Sequence, residues 1–189
     1  LRRSDVPSEL ANPPRGAGPL RVSGGLGDGA LEDEIVRAER LEEPLSLLLV
    51  ELDEVERVTA VEAASEAEAT FDRFAQTLRS AIRRHDKVAG DTQTRAWIMA
   101  RDTDRMGALA LGARIASSVG GAELWRGAPL TVSIGLAVLG EDGTSGAGLI
   151  EAAEESKYAA AASGVGIAQR GLGTRTGERP PEPGPRLVR

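Results

Sequence analysis

The sequence predicts a single α/β (α+β) domain, a mixed central sheet flanked by helices, and three observations point there. The run Leu45-Ser46-Leu47-Leu48-Leu49-Val50-Glu51-Leu52-Asp53 is apolar without alternation, the mark of a strand buried on both faces and therefore central to its sheet. Stretches with apolar residues at helical spacing alternate along the chain with β-rich runs bounded by turn residues. The 189 residues suffice for one ordinary core with tails, and no internal repeat divides them.

Residues 1–29 interleave Pro7, Pro13, Pro14 and Pro19 with glycines, show no periodicity, and read as a disordered leader or linker. The glycines of 24–29 lack the preceding strand and the following Gly-Lys-Ser/Thr that a phosphate loop requires. The domain proper reads from 30 to 170. Leu31, Ile35, Ala38 and Leu41 predict a first amphipathic helix, with Asp28 placed to cap it and Pro44 to stop it. The central strand follows. From Glu54 to Arg84 the chain is helix-forming, with Phe71, Phe74, Ala75, Leu78 and Ile82 as one apolar stripe and no glycine or proline between Glu54 and Ser80 to force a loop. Lys87-Val88-Ala89 and Arg95-Ala96-Trp97-Ile98-Met99-Ala100 flank a polar turn at 90–94 and predict a hairpin. Asp104 is placed to cap the next helix, whose expected apolar face is Met106, Leu109, Ala113 and Ala116, and Gly120-Gly121 to end it. A short strand is expected over 122–125 and a longer one over 130–138, followed by a turn at Glu141-Asp142-Gly143. An Ala-rich helix over 147–162 and a short strand over 164–168 complete the domain, and 171–189 read as a disordered Pro/Gly/Arg tail.

Composition narrows the function. Aromatic residues are only 3%, so a core drawn from the 41% hydrophobic residues rests on Leu, Val, Ile and Ala and is expected to be modestly stable. The absence of cysteine excludes disulfides, thiolate metal sites and a Cys nucleophile, and the single His85 excludes a multi-histidine metal centre. A net charge of −6 argues against non-specific binding to nucleic acid or to anionic membranes. No apolar run approaches the roughly 20 residues a membrane span requires and no signal-peptide core opens the chain, so a cytoplasmic location is expected. The chain begins with Leu1 instead of Met, so either a fragment or a misplaced start is expected. Glu51 and Asp53 end the central strand, where open α/β sheets bind ligands.

The strand Pro44 to Asp53, the segment Leu78-Arg79-Ser80-Ala81-Ile82-Arg83-Arg84-His85-Asp86, the run Leu130-Thr131-Val132-Ser133-Ile134-Gly135 and the pattern around Tyr158 and Ser163-Gly164 resemble, in order and spacing, the GGDEF domains, which comprise the diguanylate cyclases and their degenerate relatives. The resemblance covers roughly 30–168. It implies a nucleotidyl-cyclase-like fold in which active members join two GTP molecules into cyclic di-GMP across two facing domains, using Mg²⁺ held on carboxylates. Here the signature aligns with Thr92, Gln93, Thr94, Arg95 and Ala96, so its glycines and both its acidic residues are missing. The first-strand metal ligand aligns with Glu51, followed by Asp53; the guanine-reading positions align with Thr59 and Glu68, and the phosphate-contacting ones with Ala161 and Val165. Glu51 is longer than Asp by one bond of roughly 1.5 Å, where a site tolerates about 0.5 Å. Thr94 brings no carboxylate to Mg²⁺. These positions imply lost cyclase activity and no Mg²⁺ cofactor.

One family site has its residues in place. Product-inhibited cyclases carry an Arg-x-x-Asp site ahead of the signature and a further Arg on the following helix, and these align with Arg83, Asp86 and Arg114. An Arg fork suits phosphate oxygens or the guanine O6/N7 edge, and a carboxylate accepts from guanine N1–H and N2–H. The motif is short, and Arg2 with Asp5 and Arg101 with Asp104 match it as well. Basic residues at a helix end and an Asp opening a turn also have an ordinary structural use. The expectation is an inactive GGDEF-like domain acting as a cyclic di-GMP receptor or regulatory signalling module, its partners being that ligand and a second copy or another signalling protein. The rival is a ligand-free dimerisation or docking scaffold, and a weak cyclase or GTP sensor ranks last.

Overall fold

The computed structural model describes residues 26, 29–122, 125–126, 128–164 and 166–167. The expected leader and tail, apart from Leu26 and Gly29, lie outside the described residues. Helix α1 (Ala30–Leu41) leads into strand β1 (Leu45–Leu52), then helices α2 (Val55–Val61) and α3 (Ala64–Ala81), strands β2 (Lys87–Gly90) and β3 (Arg95–Arg101), helix α4 (Arg105–Gly121), strand β4 (Val132–Val138) and helix α5 (Gly146–Ser163).

Strand β1 is central, as its composition requires. The sheet order is β2-β3-β1-β4, and β1 pairs antiparallel with β3 (Leu48 opposite Ile98) and with β4 (Leu48 opposite Leu136). Alternation along β1 then sorts its side chains to two cores. Leu48, Val50 and Leu52 join Ile98, Ile134 and Leu136 beneath Phe74, Leu78, Leu111 and Ile115 of α3 and α4. Leu45, Leu47 and Leu49 join Trp97, Met99 and Ala137 beneath Leu31, Ile35, Leu149 and Ala153 of α1 and α5. Each fully buried Leu of this kind contributes about 1.5–3 kcal/mol relative to exposure, so a three-layer arrangement is the only one that uses all of β1. The four strands are antiparallel throughout; parallel pairing is confined to the isolated bridges Ile134 to Ile167 and Leu139 to Gly143.

Local chemistry explains most boundaries. Helix α1 ends at Glu42, in the left-handed region, ahead of Pro44, and its N-cap is Gly29, which has no side chain to bond; Asp28 lies outside the described residues. Asp104 caps α4 by accepting from the Gly107 N–H, and Ser145 caps α5 by accepting from the Gly148 N–H. Gly164 closes α5 with φ +66°, a conformation that favours glycine.

The helix-forming stretch after β1 is helical in two pieces: Glu62, with φ −101° and ψ 148°, separates α2 from α3. Two expectations are corrected. The buried face of α4 is Ala108, Leu111, Gly112, Ile115 and Val119; of the expected face Leu109 and Ala116 pack partly against the core, while Met106 is 71% exposed and Ala113 is exposed. The strand expected over 122–125 reduces, within the described residues, to a single bridge between Trp125 and Ala128. No helix among the described residues is long and apolar enough to cross a membrane.

Candidate functional site

The carboxyl end of β1 gathers the sequence-predicted positions that derive from the sheet. Glu51 stands opposite Arg95 on β3 and opposite Ser133 on β4. Asp53, two residues on, accepts from the hydroxyls of Thr131 at 2.7 Å and Ser133 at 2.6 Å. The hairpin turn closes by the Asp91 and Thr92 N–H groups donating to the Arg95 carbonyl, and the Thr94 N–H donates to the Thr92 hydroxyl. Gln93 is exposed at its tip and Ala96 is buried at its base.

Charge in this region is paired internally. Lys157 Nζ lies 2.7 Å from Glu51 Oε2. The Arg95 guanidinium contacts Asp91 at 3.0 Å and Glu154 at 2.5 Å, over the Trp97 ring. Lys157 and Glu154 come from α5 and were not among the residues singled out from the sequence. The signal was present: Leu149, Ala153, Ser156, Lys157 and Ala160 share the buried face of α5, so a lysine stands inside an apolar stripe.

Thr59 and Glu68 are not brought into this cluster. Both are exposed, Thr59 on α2 with its hydroxyl donating back to the Val55 and Glu56 carbonyls, and Glu68 on α3. A cleft of about 350 Å³ on α3 is lined by residues including Glu62, Glu66, Arg73 and Trp125, and by neither Thr59 nor Glu68. Glu62 accepts there from the Trp125 indole N–H at 2.7 Å and from Arg126, and the Arg126 guanidinium, followed by that indole, holds its carboxyl below the ordinary range. A second cleft, about 520 Å³, includes Asp53, Thr131, Ser133 and Gly164 in its lining; of the sequence-derived positions it brings together Asp53 and Ala161. Ala161 is exposed at the end of α5, and Val165 lies outside the described residues.

Arg83 and Asp86 lie just past the end of α3, and Arg114 bonds to that end. The helix stops at Ala81, so Arg83 and Asp86 are not a helical turn apart; they form a tight turn, the Asp86 N–H donating to the Arg83 carbonyl at 3.2 Å and Asp86 Oδ2 accepting from the Arg83 N–H at 2.8 Å. This places Arg83 in solvent and the Asp86 side chain, 1% exposed, inside. Asp86 Oδ1 is buried without a hydrogen-bond partner, with His85 Nε2 3.8 Å away. Arg114, on α4, donates from Nε to the Ala81 carbonyl at 2.8 Å, covering the end of α3. The other described Arg-x-x-Asp match is structural: Arg101 grips Glu34 and Asp104 caps α4. Arg2 and Asp5 lie outside the described residues.

Mg²⁺, which the family resemblance implies for active members, finds no fitting donor set at these residues. The ion needs near-octahedral oxygen ligation, whereas Glu51 is engaged by an ammonium, Asp53 by two hydroxyls, and Thr94 offers no carboxylate. Among the described residues no group of three or more His, Asp or Glu is placed to hold a metal ion.

Comparison with known proteins agrees with this architecture. A family model described as "Diguanylate cyclase, GGDEF domain" matches residues 27–166. The active GGEEF domain of a diguanylate cyclase from Vibrio cholerae superposes with a TM-score of 0.67 at 17% identity, over 73% of this chain and 91% of that one. The GGDEF domain of YfiN (TpbB) from Pseudomonas aeruginosa gives 0.69 at 20% identity, over 76% and 93%. The GGDEF domain of DgcB from Caulobacter crescentus, solved in complex with c-di-GMP, gives 0.64 at 16% identity, over 73% and 86%. At such identities these likenesses speak for the fold. No curated protein matches the sequence.

Proposed function

We propose that this chain, which belongs to the GGDEF domain family, is a catalytically inactive member that serves as a cyclic di-GMP receptor in a signalling assembly. The observation that carries the inactive half is the paired charge at the end of β1: Glu51 bound to Lys157, and Arg95, at a signature position, bound to Asp91 and Glu154. Phosphoryl transfer depends on positioned cations that neutralise charge developing on the substrate, and here the chain's own cations are already spent on its own carboxylates.

The receptor half rests on the turn at Arg83 and Asp86. The exposed Arg83 and, fixed at the end of α3, Arg114 supply forks for a guanine or a phosphate, and the buried Asp86 carboxylate, with one oxygen unbonded, supplies an acceptor once it turns outward. DgcB, the relative solved with c-di-GMP, gives this ligand its precedent in the fold. One observation favours the scaffold instead. The Asp86 carboxylate points inward and holds the Arg83 N–H, so a ligand must reorient it or be read by the arginines alone.

Two measurements test the proposal. Incubated with GTP and Mg²⁺ or Mn²⁺, the purified protein should make no cyclic di-GMP; product that Glu51→Ala abolishes would refute the inactive half. Calorimetry with cyclic di-GMP should give saturable heat that Arg83→Ala weakens by about 1.5–3 kcal/mol, the scale of a hydrogen bond to a charged group. Light scattering should show dimerisation on binding. No heat with wild type, while a known receptor binds in the same buffer, leaves the scaffold reading in its place.

A further inference from the structure

Lys157 takes a course rare for a charged side chain. Helix α5 lies tight on β4 because Gly135 carries no Cβ; one added there would overlap the Ala153 carbonyl oxygen and stand 2.7 Å from Lys157 Cβ. The lysine therefore leaves the buried face of the helix and its side chain, 9% exposed, reaches across to Glu51 on β1, with Nζ also 4.0 Å from the centre of the Tyr158 ring. The Lys157 side chain is nearly covered while its partner Glu51 is 35% exposed, so the pair closes the rim of the sheet end, and the carboxylate together with the Tyr158 ring offsets the hydration the ammonium gives up.

We propose that Lys157 is a tethered cation standing in the place of a divalent metal at the sheet end. The positive charge that an ion would supply to Glu51 comes from the chain, so the site neither needs nor admits a metal. A divalent ion on the same oxygen would sit at about 2.0–2.1 Å from it and face the ammonium at a distance where like charges repel strongly. Arg95, opposite Glu51 in the register, is itself neutralised by Asp91 and Glu154, so Lys157 is the cation that Glu51 holds. The proposal rests on the inactive-domain reading above and names the residue that closes the metal position.

The test uses the full chain and Mn²⁺ alone as probe. Water-proton relaxation is followed through a titration to millimolar Mn²⁺, and thermal unfolding is recorded with and without the ion for wild type, Glu51→Gln, Lys157→Met and the double variant Lys157→Met with Glu51→Gln. Wild type should show no saturable binding and an unmoved Tm. Lys157→Met should unfold several degrees lower and be raised by Mn²⁺, and the double variant should recover much of the loss and ignore the ion. Saturable binding by wild type that Glu51→Gln removes overturns the proposal, as does a Lys157→Met Tm that Mn²⁺ leaves unmoved, which marks an ordinary buried ion pair. Should Lys157→Met not fold, Lys157→Gln provides the same comparison, and the wild-type titration stands independently. Cyclic di-GMP formation strikes the inactive-domain reading, whereas Mn²⁺ binding without product strikes this proposal only.

Discussion

Replacing Glu34 should detach α1 from the hairpin at a measurable and pH-dependent cost. Glu34 is 3% exposed on α1 and receives Arg101 in a bidentate grip, Nε at 2.6 Å on one oxygen and Nη2 on the other, with Lys87 Nζ at 2.5 Å. The Arg101 hydrogen bonds, against the opposing effect of burial and with help from Lys87, hold its carboxyl at about 2, down from 4.5. A fall of that size corresponds to about 3 kcal/mol of preference for the charged form. Breaking a buried pair costs 3–5 kcal/mol when one charge is left behind, and the partial exposure of Arg101 and Lys87 places this case at about the low end. The two routes agree on about 3 kcal/mol, or about 10 °C in Tm for a domain of this size. The sign follows from proton counting. Between pH 2 and 4.5 the unfolded chain binds the proton that folded Glu34 refuses, so this stabilisation is complete above pH 4.5 and is lost as pH falls toward 2. Urea unfolding of wild type and Glu34→Gln across pH 2 to 7 gives a difference curve that should stand near 3 kcal/mol at neutral pH and shrink through the acid range. A flat difference curve, or a loss below about 1 kcal/mol at neutral pH, would refute the reasoning.

Other substitutions probe single contacts. Gly135→Ala should cost at least the upper part of the 1–3 kcal/mol range for overpacking, because its Cβ meets helix backbone that cannot move aside, whereas Gly120→Ala, with nothing within 4 Å, should be neutral or stabilising by about 0.5–1 kcal/mol; urea midpoints of the two variants check this. Asp104→Ala should lose about 1 kcal/mol through the α4 cap and Asp104→Asn little, read from thermal unfolding. Arg114→Ala should lower stability by about 1 kcal/mol through the Ala81 carbonyl it leaves unpaired, and calorimetry with cyclic di-GMP should report a further loss of binding, which a purely structural arginine would not give.

The central position of β1, the helix and strand sequence, the Asp104 cap and the family were all legible in the sequence, because each is written in residues close together along the chain. An eight-residue run buried on both faces can occupy only the middle of a sheet, and β1 does. Where periodicity was ambiguous, reading failed. Helix α4 carries Ala, Leu and Gly on nearly every side, so its pattern offered two faces, and packing against the sheet and α3 decided which one is buried. The break at Glu62 carries no glycine or proline to announce it; there the Glu62 carboxylate is drawn to Trp125 and Arg126, more than sixty residues away. The charge network was likewise out of reach. Glu34 finds Lys87 and Arg101, and Glu51 finds Lys157, only after the strand register and the seating of α5 on Gly135 have brought distant segments together. Sequence alone placed Arg83 beside Asp86; the turn geometry alone sends one to solvent and the other inside, because the carboxylate is needed to hold the Arg83 N–H once α3 has ended.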